Sequence, residues 1–325
     1  MIQDRVLRKQ WIAAGLSAGL TDRPVQAVIM GERIVIFRDD KGKARAFKDM
    51  CIHRGAALSL GCVKEGKLVC PYHAWEYDGT GACVKIPQLP ANQPIPGKAK
   101  AIGYPCEERY GLIWVALDSP ERDIPALPEY GAPAIRNVVW GPLEVAAKPP
   151  RVIENFLDVG HLAVVHEGFL GTSSHTEIGD YRVGRVGDII RSDEIGIFQP
   201  DSDGTGKPKT VYYVYEVLNP LTAKFTKTDH DTGAAMSMMM TVQPVSDDLS
   251  IAYGVMGFNY ELDMSDDEIN RFQDTIFAQD KPVVEHQKPE DLPLDLQMEL
   301  SLKMDRMSIA YRMYLRDLGV VLGTA

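Results

Sequence analysis

Two cysteines and two histidines, held in two short loops, constrain this chain more than any other feature. Cys51-Ile52-His53 and Cys70-Pro71-Tyr72-His73 form the pattern C-x-H, sixteen intervening residues, then C-x-x-H. Two thiolates and two imidazoles converging from loops of a β-rich region suit zinc or a [2Fe–2S] cluster. Zinc sites favour knuckles in which one loop donates two like ligands. Here each loop gives one Cys and one His. That alternation suits a cluster in which one iron takes both thiolates and the other takes both imidazoles.

The rest of the chain gives these loops a setting. A length of 325 residues is about two domains. Hydrophobic residues at 45% and charged residues at 25% can bury a full core, which excludes wholesale disorder. The net charge of −10 repels phosphate backbones, so nucleic acid is a poor partner. No apolar run reaches the length of a spanning helix, so no membrane is expected. Arg5, Arg8 and Lys9 before Trp11 to Leu16 faintly resemble a signal peptide. That apolar run is short and broken by Gly15, so the chain is read as cytoplasmic. Five cysteines, an odd number without a dense pattern, argue against a disulfide framework and for a reducing compartment.

Up to residue 118 the pattern is short strands and turns, with no helix. Val25 to Met30 and Ile34 to Phe37 read as a hairpin around Gly31-Glu32-Arg33, and Asp78-Gly79 marks another tight turn. Seven prolines between 120 and 150 read as an extended connector. The expected organisation is therefore a β domain over 1–118, a connector over 119–150 and a second domain over 151–325. In the last, a helix opens near Val152, and runs at 211–217, 236–242 and 249–258 read as antiparallel strands. Ser265-Asp266-Asp267-Glu268 caps a helix, and a long helix is expected over Asp295 to Leu318.

A second constellation opens that domain. Asn155, Asp158, His161 and His166 fall in N-x-x-D-x-x-H-x-x-x-x-H. Two histidines with one carboxylate on one face of an ion leave positions open for O2 at non-haem Fe(II). Asp158 and His161, three apart, would share a helix face. His161 and His166, five apart, would not, so the helix must bulge or end between them. The third ligand must come from elsewhere, and Asp274, Asp280 and Glu285 are candidates.

With these residues in view, the chain resembles the bacterial Rieske non-haem iron oxygenases. The resemblance rests on Cys51 to Ala56, Cys70 to Trp75, the flanking Trp11-Ile12-Ala13 and Tyr110 to Val115, and the D-x-x-H-x-x-x-x-H segment. It implies an α+β architecture: an N-terminal all-β Rieske domain, then a C-terminal helix-grip (START-like) antiparallel sheet with helices. It implies that Cys51, His53, Cys70 and His73 hold a [2Fe–2S] cluster. His161 and His166 would hold a mononuclear Fe(II), with Asp280 as third ligand and Glu285 as fallback. Asp158 would orient His161 and bridge to His73 of a neighbouring subunit in a ring of three. Asn155 would lie near the iron or serve its helix. Ala56 and Tyr72 stand where respiratory Rieske proteins carry disulfide cysteines, so the oxygenase type is expected. Cys62, Cys83 and Cys106 are read as free, partly buried thiols.

The implied function is a terminal oxygenase. It would hydroxylate or oxidatively demethylate a small aromatic or heteroaromatic compound, taking O2 and electrons from a separate reductase or ferredoxin. The length favours a homotrimer without β subunits and monooxygenation over cis-dihydroxylation. A ring-dihydroxylating dioxygenase is the alternative, and a Rieske electron carrier or zinc scaffold is a remote one. Met236, Met238, Met239 and Met240 would line a pocket or fill the core, and Phe169, Tyr213 and Phe258 are candidate lining residues.

Overall fold

The computed structural model describes residues 3–200 and 207–325. The chain divides into two units, one running to Ile124 together with Pro244–Ser246, the other covering Pro125–Gln243 and Asp247–Ala325.

In the first unit, short strands pair antiparallel into three small sheets. Ile12–Leu16, Leu112–Val115 and Cys106–Arg109 make one; Val25–Ile29, Glu32–Arg38, Ala44–Lys48 and Gly103–Tyr104 make the second. Cys62–Lys64, Lys67–Val69, Glu76–Tyr77 and Cys83–Lys85 make the third. The expected hairpin is present, but its turn is Met30-Gly31, both at positive φ (50° and 74°), and the second strand begins already at Glu32. Two positive φ values give a tight turn the twist that suits a hairpin. The described residues of this unit contain no α-helix, only 3-10 turns at Leu7–Lys9, Ser17–Gly19 and Leu58–Leu60. Val35, Phe37, Phe47, Leu58, Leu68 and Tyr77 pack into one core with Cys51 and Cys70.

The second unit is built on an eight-stranded sheet. Its order is Arg136–Val145, Ser250–Phe258, Ala235–Pro244, Thr222–Thr228, Lys209–Asn219, Ile189–Ser192 and Val183–Val186, with Ile195–Gln199 also paired to Lys209–Asn219. The sequence Val211-Tyr212-Tyr213-Val214-Tyr215-Glu216-Val217 buries its odd positions only, the period of two that puts one face of a strand inward. Thr222–Thr228 and Ala235–Pro244 continue that face in register: Tyr215 lies opposite Phe225, and Phe225 opposite Met238.

Three α-helices complete the described part of this unit: α1 (Pro149–Leu157), α2 (Asp266–Val284) and α3 (Arg306–Leu318). Ser265 opens α2 with a reciprocal cap, its side chain accepting from the Glu268 N–H while Glu268 accepts from the Ser265 N–H. Asp266, Asp267 and Glu268 then meet the positive end of the helix dipole. Trp140 fixes α2 on the sheet, stacking edge-on against Phe277 at 5.4 Å and donating its indole N–H to Asp274 at 2.8 Å. No helix among the described residues is long and apolar enough to cross a membrane.

Two expectations shift. The proline-rich stretch read as connector supplies the ten-residue strand Arg136–Val145, because the strand lies at the sheet's edge and the one proline inside it, Pro142, falls where its register with Ser250–Phe258 shifts, so the missing N–H is tolerated. The helix expected from Asp295 begins only at Arg306, after a 3-10 turn at Lys303–Asp305. Asp295 and Asp305 bind the N–H groups of Gln297 and Leu302 with their side chains, which holds the backbone in local turns instead of a helix.

Candidate active site

The two loops of the first unit are built alike. The Cys51 N–H donates to Ala56 O, and the Gly55 N–H to Cys51 O; the Cys70 N–H donates to Trp75 O, and the Ala74 N–H to Cys70 O. Each loop thus closes on its cysteine and turns at a residue of positive φ, Gly55 at 73° and Ala74 at 54°. Gly55 takes this conformation without strain, whereas Ala74 is a rare non-glycine there. Cys51 and Cys70 are both 2% exposed, and His53 and His73 stand 4.6 Å apart edge to face. His53 stacks flat on Trp75 at 4.5 Å, and its Nδ1 is buried with no hydrogen-bond partner, as a nitrogen meant for a metal would be. The buried Tyr77 hydroxyl lies 3.1 Å from Cys51 Sγ. Burial, first, and the neighbouring thiols push its ionisation far up, so it stays protonated and is able to donate to a thiolate at Cys51. This donor set fits a [2Fe–2S] cluster with mixed Cys and His ligation.

The second constellation is brought together from two parts of the chain. α1 ends at Leu157, and Asp158 is already extended (ψ 117°). Asp158 and His161 therefore do not share a helix face; they meet because the chain turns sharply after the helix. Gly160 N–H binds Asp158 Oδ1 at 2.7 Å, which brings Asp158 Oδ2 to 3.4 Å from His161 Nδ1. That approach is too poorly aligned to be a hydrogen bond, and His161 Nδ1 remains without one. His161 and His166 both follow the helix end, in turns, which resolves their five-residue spacing without a π bulge.

Asp280 comes from α2. His161 Nε2 and His166 Nε2 lie 3.3 and 3.1 Å from Asp280 Oδ1 and 3.2 Å from each other. Ligands at right angles around one ion, with bonds of about 2.2 Å, stand about 3.1 Å apart. The triangle therefore fits one face of an octahedral ion, and its residues form a group able to hold a metal. Burial disfavours charge on His161, yet Asp158 and Asp280 override it and push this ring up to about 9. Burial likewise opposes charge on Asp280, and the two rings bring its carboxyl down to about 2. The site is thus arranged for positive charge beside a carboxylate. Asp274 and Glu285, the other candidates, are engaged elsewhere: Asp274 with the Trp140 indole, Glu285 with the Ala146 N–H at 2.8 Å. Asn155 Nδ2 reaches Asp280 Oδ1 at 3.4 Å.

Sequence reading missed Gln279. Its Oε1 accepts from His166 Nδ1 at 2.8 Å, which leaves Nε2 with its lone pair toward the triangle. Its place beside Asp280 was the only signal, and a polar residue on a helix is usually just solvated. Also missed was a closed ring of buried charge. Arg151 binds Glu154 and Glu299, and Arg312 binds the same two carboxylates, with contacts from 2.5 to 3.3 Å. The ring ties α1 and α3 to the segment before α3, holding the helix from which Asn155 projects and at whose end Asp158 stands.

The triangle opens on a cavity of about 100 Å³. Its wall is largely apolar, with Phe156, Tyr215, Phe225, Met236, Met238 and Met240 among its residues. A second chamber of about 210 Å³ shares Leu170, Lys227, Met236, Phe272 and Gln273 with it. Of the anticipated lining residues, Tyr213 faces the first chamber, and Phe169 and Phe258 face the second. The even-numbered methionines line the cavity, whereas Met239 points to the other side of the sheet and is fully buried. The five cysteines are free thiols, and Cys62, expected to be partly buried, is exposed.

Comparison with known proteins agrees with this geometry. Residues 10–102 match the Rieske [2Fe-2S] domain, and residues 145–320 match the vanillate O-demethylase oxygenase C-terminal domain. The chain is 33% identical over 303 residues to methylxanthine N1-demethylase NdmA of Pseudomonas putida, covering 91% of this chain and 82% of that protein. It is 35% identical over 219 residues to the probable methylxanthine N7-demethylase NdmC of Pseudomonas sp. (strain TJI-51), covering 66% of this chain and 77% of that one. The solved structure of NdmA from Pseudomonas putida CBB5 superposes with a TM-score of 0.82 at 32% identity, over 96% of this chain and 90% of that one. Such proteins carry a [2Fe–2S] cluster and a mononuclear iron. With both domains matched in this order and nine-tenths of the chain aligned to one oxygenase, this protein belongs to the Rieske non-haem iron oxygenases, as an oxygenase component.

Proposed function

We propose that this oxygenase removes a methyl group from nitrogen or oxygen on a small aromatic or heteroaromatic ring. The net reaction is R–X–CH3 + O2 + NADH + H+ → R–XH + HCHO + H2O + NAD+, with the electrons delivered by a separate reductase or ferredoxin. In this reading Cys51, His53, Cys70 and His73 hold the cluster, and His161, His166 and Asp280 hold the iron. The observation that carries it is the triangle of Nε2, Nε2 and Oδ1 atoms opening directly on an apolar cavity. Bound there, the cluster supplies electrons one at a time and the iron supplies the site of O2 activation. Gln279 orients the His166 ring, Asp158 sets a negative charge beside His161, and Asn155 steadies the Asp280 carboxylate. The methionine and aromatic wall excludes water and holds the ring compound against the open side of the triangle.

A homotrimer belongs to the same proposal. Asp158 lines a polar cavity whose lip carries Leu300, 89% exposed, and Met298, Leu302 and Val164 add apolar surface at more than half exposure. The cluster loops expose Tyr72 beside His73 and Leu60 nearby, at 65% and 77%. Two such surfaces on neighbouring copies would cover each other and let His73 of one copy approach Asp158 of the next. Cys62, Cys83 and Cys106, outside the cluster and in no disulfide, support a reducing compartment, and we place the protein in the cytoplasm.

The test combines iron analysis with product identification. About three irons per chain, and formaldehyde released with the demethylated ring in the presence of a generic reductase, are expected. Two irons per chain would reduce the protein to an electron carrier, and a cis-diol product would make it a dihydroxylating dioxygenase.

A further inference from the structure

Three thioethers share a chamber with the metal triangle. Side chains alternate along Ala235–Pro244, so Met236, Met238 and Met240 line the chamber that His161, His166 and Asp280 also line, whereas Met239 lies on the opposite face. In the strand register Phe225 stands opposite Met238, and Ala223 opposite Met240. Met238 and Met240 are 1% and 4% exposed, and of the two chambers they line only the inner one. Oxidant dissolved in bulk solvent therefore meets them last, and oxidant made at the triangle meets them first.

A thioether is the readiest oxygen acceptor in this wall. Its sulfur takes one oxygen atom to become a sulfoxide and has no proton to lose. The phenols of Tyr213 and Tyr215, in the same wall, are held protonated by burial, which keeps them poor electron donors. Among the described residues none of the five cysteines lines the chamber, so no thiol competes for the oxygen. An oxygenase that reduces O2 while no ring compound fills the chamber thus has these sulfurs as its available target.

We propose that Met238 and Met240 are a modification site, each converted to its sulfoxide when O2 is reduced over an empty chamber. The step balances as R–S–CH3 + O2 + 2e− + 2H+ → R–S(O)–CH3 + H2O. The sulfur gives an electron pair to one oxygen atom and the O–O bond breaks. The second oxygen leaves as water, with both protons and the two electrons that the donor supplies. The inference rests on the oxygenase reading, with sulfur taking the oxygen that a methyl group otherwise receives. A sulfoxide at these positions records turnover without substrate.

The experiment uses the full chain with both centres loaded and no ring compound present. The chain is reduced with dithionite in the absence of oxygen, freed of reductant and mixed with isotopically labelled O2, over repeated cycles. Peptide mass spectrometry then reads the labelled oxygen gained at each methionine. Met238 and Met240 should each gain at least about tenfold more than Met239, their buried neighbour on the opposite face. They should exceed Met298 by a similar factor, since that residue, 66% exposed, reports oxidant free in solution. Removing the mononuclear iron with a chelator, the cluster left in place, should lower the gain at Met238 and Met240 about tenfold or more, and catalase should leave it unchanged. Equal label at Met239 or Met298, label that survives iron removal or vanishes with catalase, or no label at Met238 and Met240 overturns the inference. Iron content and the cluster spectrum are read first on every preparation. A chain that loads no mononuclear iron, or stays reduced under O2, condemns the oxygenase reading and the inference with it. A loaded chain that reoxidises without labelling these two methionines condemns only the modification site.

Discussion

The cluster loops and the metal triangle solve the same problem in opposite ways. Each loop carries its Cys and His within four residues and closes on itself through two backbone hydrogen bonds to the cysteine. Its ligand geometry is therefore mostly local, and two copies of one turn make the site. The triangle takes two atoms from the turns after α1 and one from α2, more than a hundred residues later. Its geometry exists only when α1, α2 and the sheet are packed. Positioning is correspondingly heavier there: Gln279 behind His166, Asp158 beside His161, Asn155 on Asp280, and the ring of Arg151, Glu154, Arg312 and Glu299 holding α1. A site written in local turns needs little help from elsewhere, whereas one assembled from distant elements needs a framework.

The sharpest way to break this comparison is to remove one ligand from each site. H161A should lower turnover by at least about a hundredfold, more than the loss of an orienting partner, while the visible absorption of the cluster stays intact. C70S should abolish that absorption and leave the mononuclear site able to bind a divalent ion. Loss of both centres in either variant would mean that the two sites do not fold independently.

Acidity comes next. In the metal-free chain His161 keeps its proton up to about 9, because Asp158 and Asp280 outweigh its burial. Iron must displace that proton, so apparent Fe(II) affinity should rise with pH, about tenfold per unit and about a hundredfold from pH 6 to 8. Anaerobic titration of the metal-free site measures it, and a flat profile would show that the ring is already neutral.

Smaller effects separate positioning from ligation. Q279L should weaken iron binding about ten- to a hundredfold by releasing the His166 ring, with the cluster spectrum unchanged. Unaltered affinity would reduce Gln279 to a helix residue. Smallest are the loop substitutions. A74G should stabilise the first unit by about 0.5–1 kcal/mol by relieving its positive φ, and G55A should destabilise it by about 1 kcal/mol. Thermal unfolding of both variants reads the difference. Equal shifts of one sign would show that the two turns are not equivalent.

Legibility in the sequence followed the same division. The Cys and His of both loops could be read directly because each pair sits in a short segment with a recognisable turn. His161 and His166 were also legible by spacing, but the reason for that spacing was not. The helix stops at Leu157, four residues earlier than a shared Asp158–His161 face requires, and propensity rarely locates a helix end to that accuracy. Among Asp274, Asp280 and Glu285 the residues alone gave no choice. What separates them is the indole of Trp140 and the N–H of Ala146, partners more than a hundred residues distant in the chain.

By itself, then, the sequence determined which Cys and His share each short loop, the alternation that puts Tyr213 and Tyr215 on one face of their strand, and the capped start of α2. These are properties of neighbours within a turn or a strand, where bonds and short hydrogen bonds leave few conformations. Only the tertiary structure decided that Asp280 meets the two histidines, that Gln279 stands behind one of them, and that Met238 and Met240 line the same chamber as that triangle. Those relations depend on strand register and helix packing, which arise when distant apolar surfaces are buried together and leave no local trace in the chain.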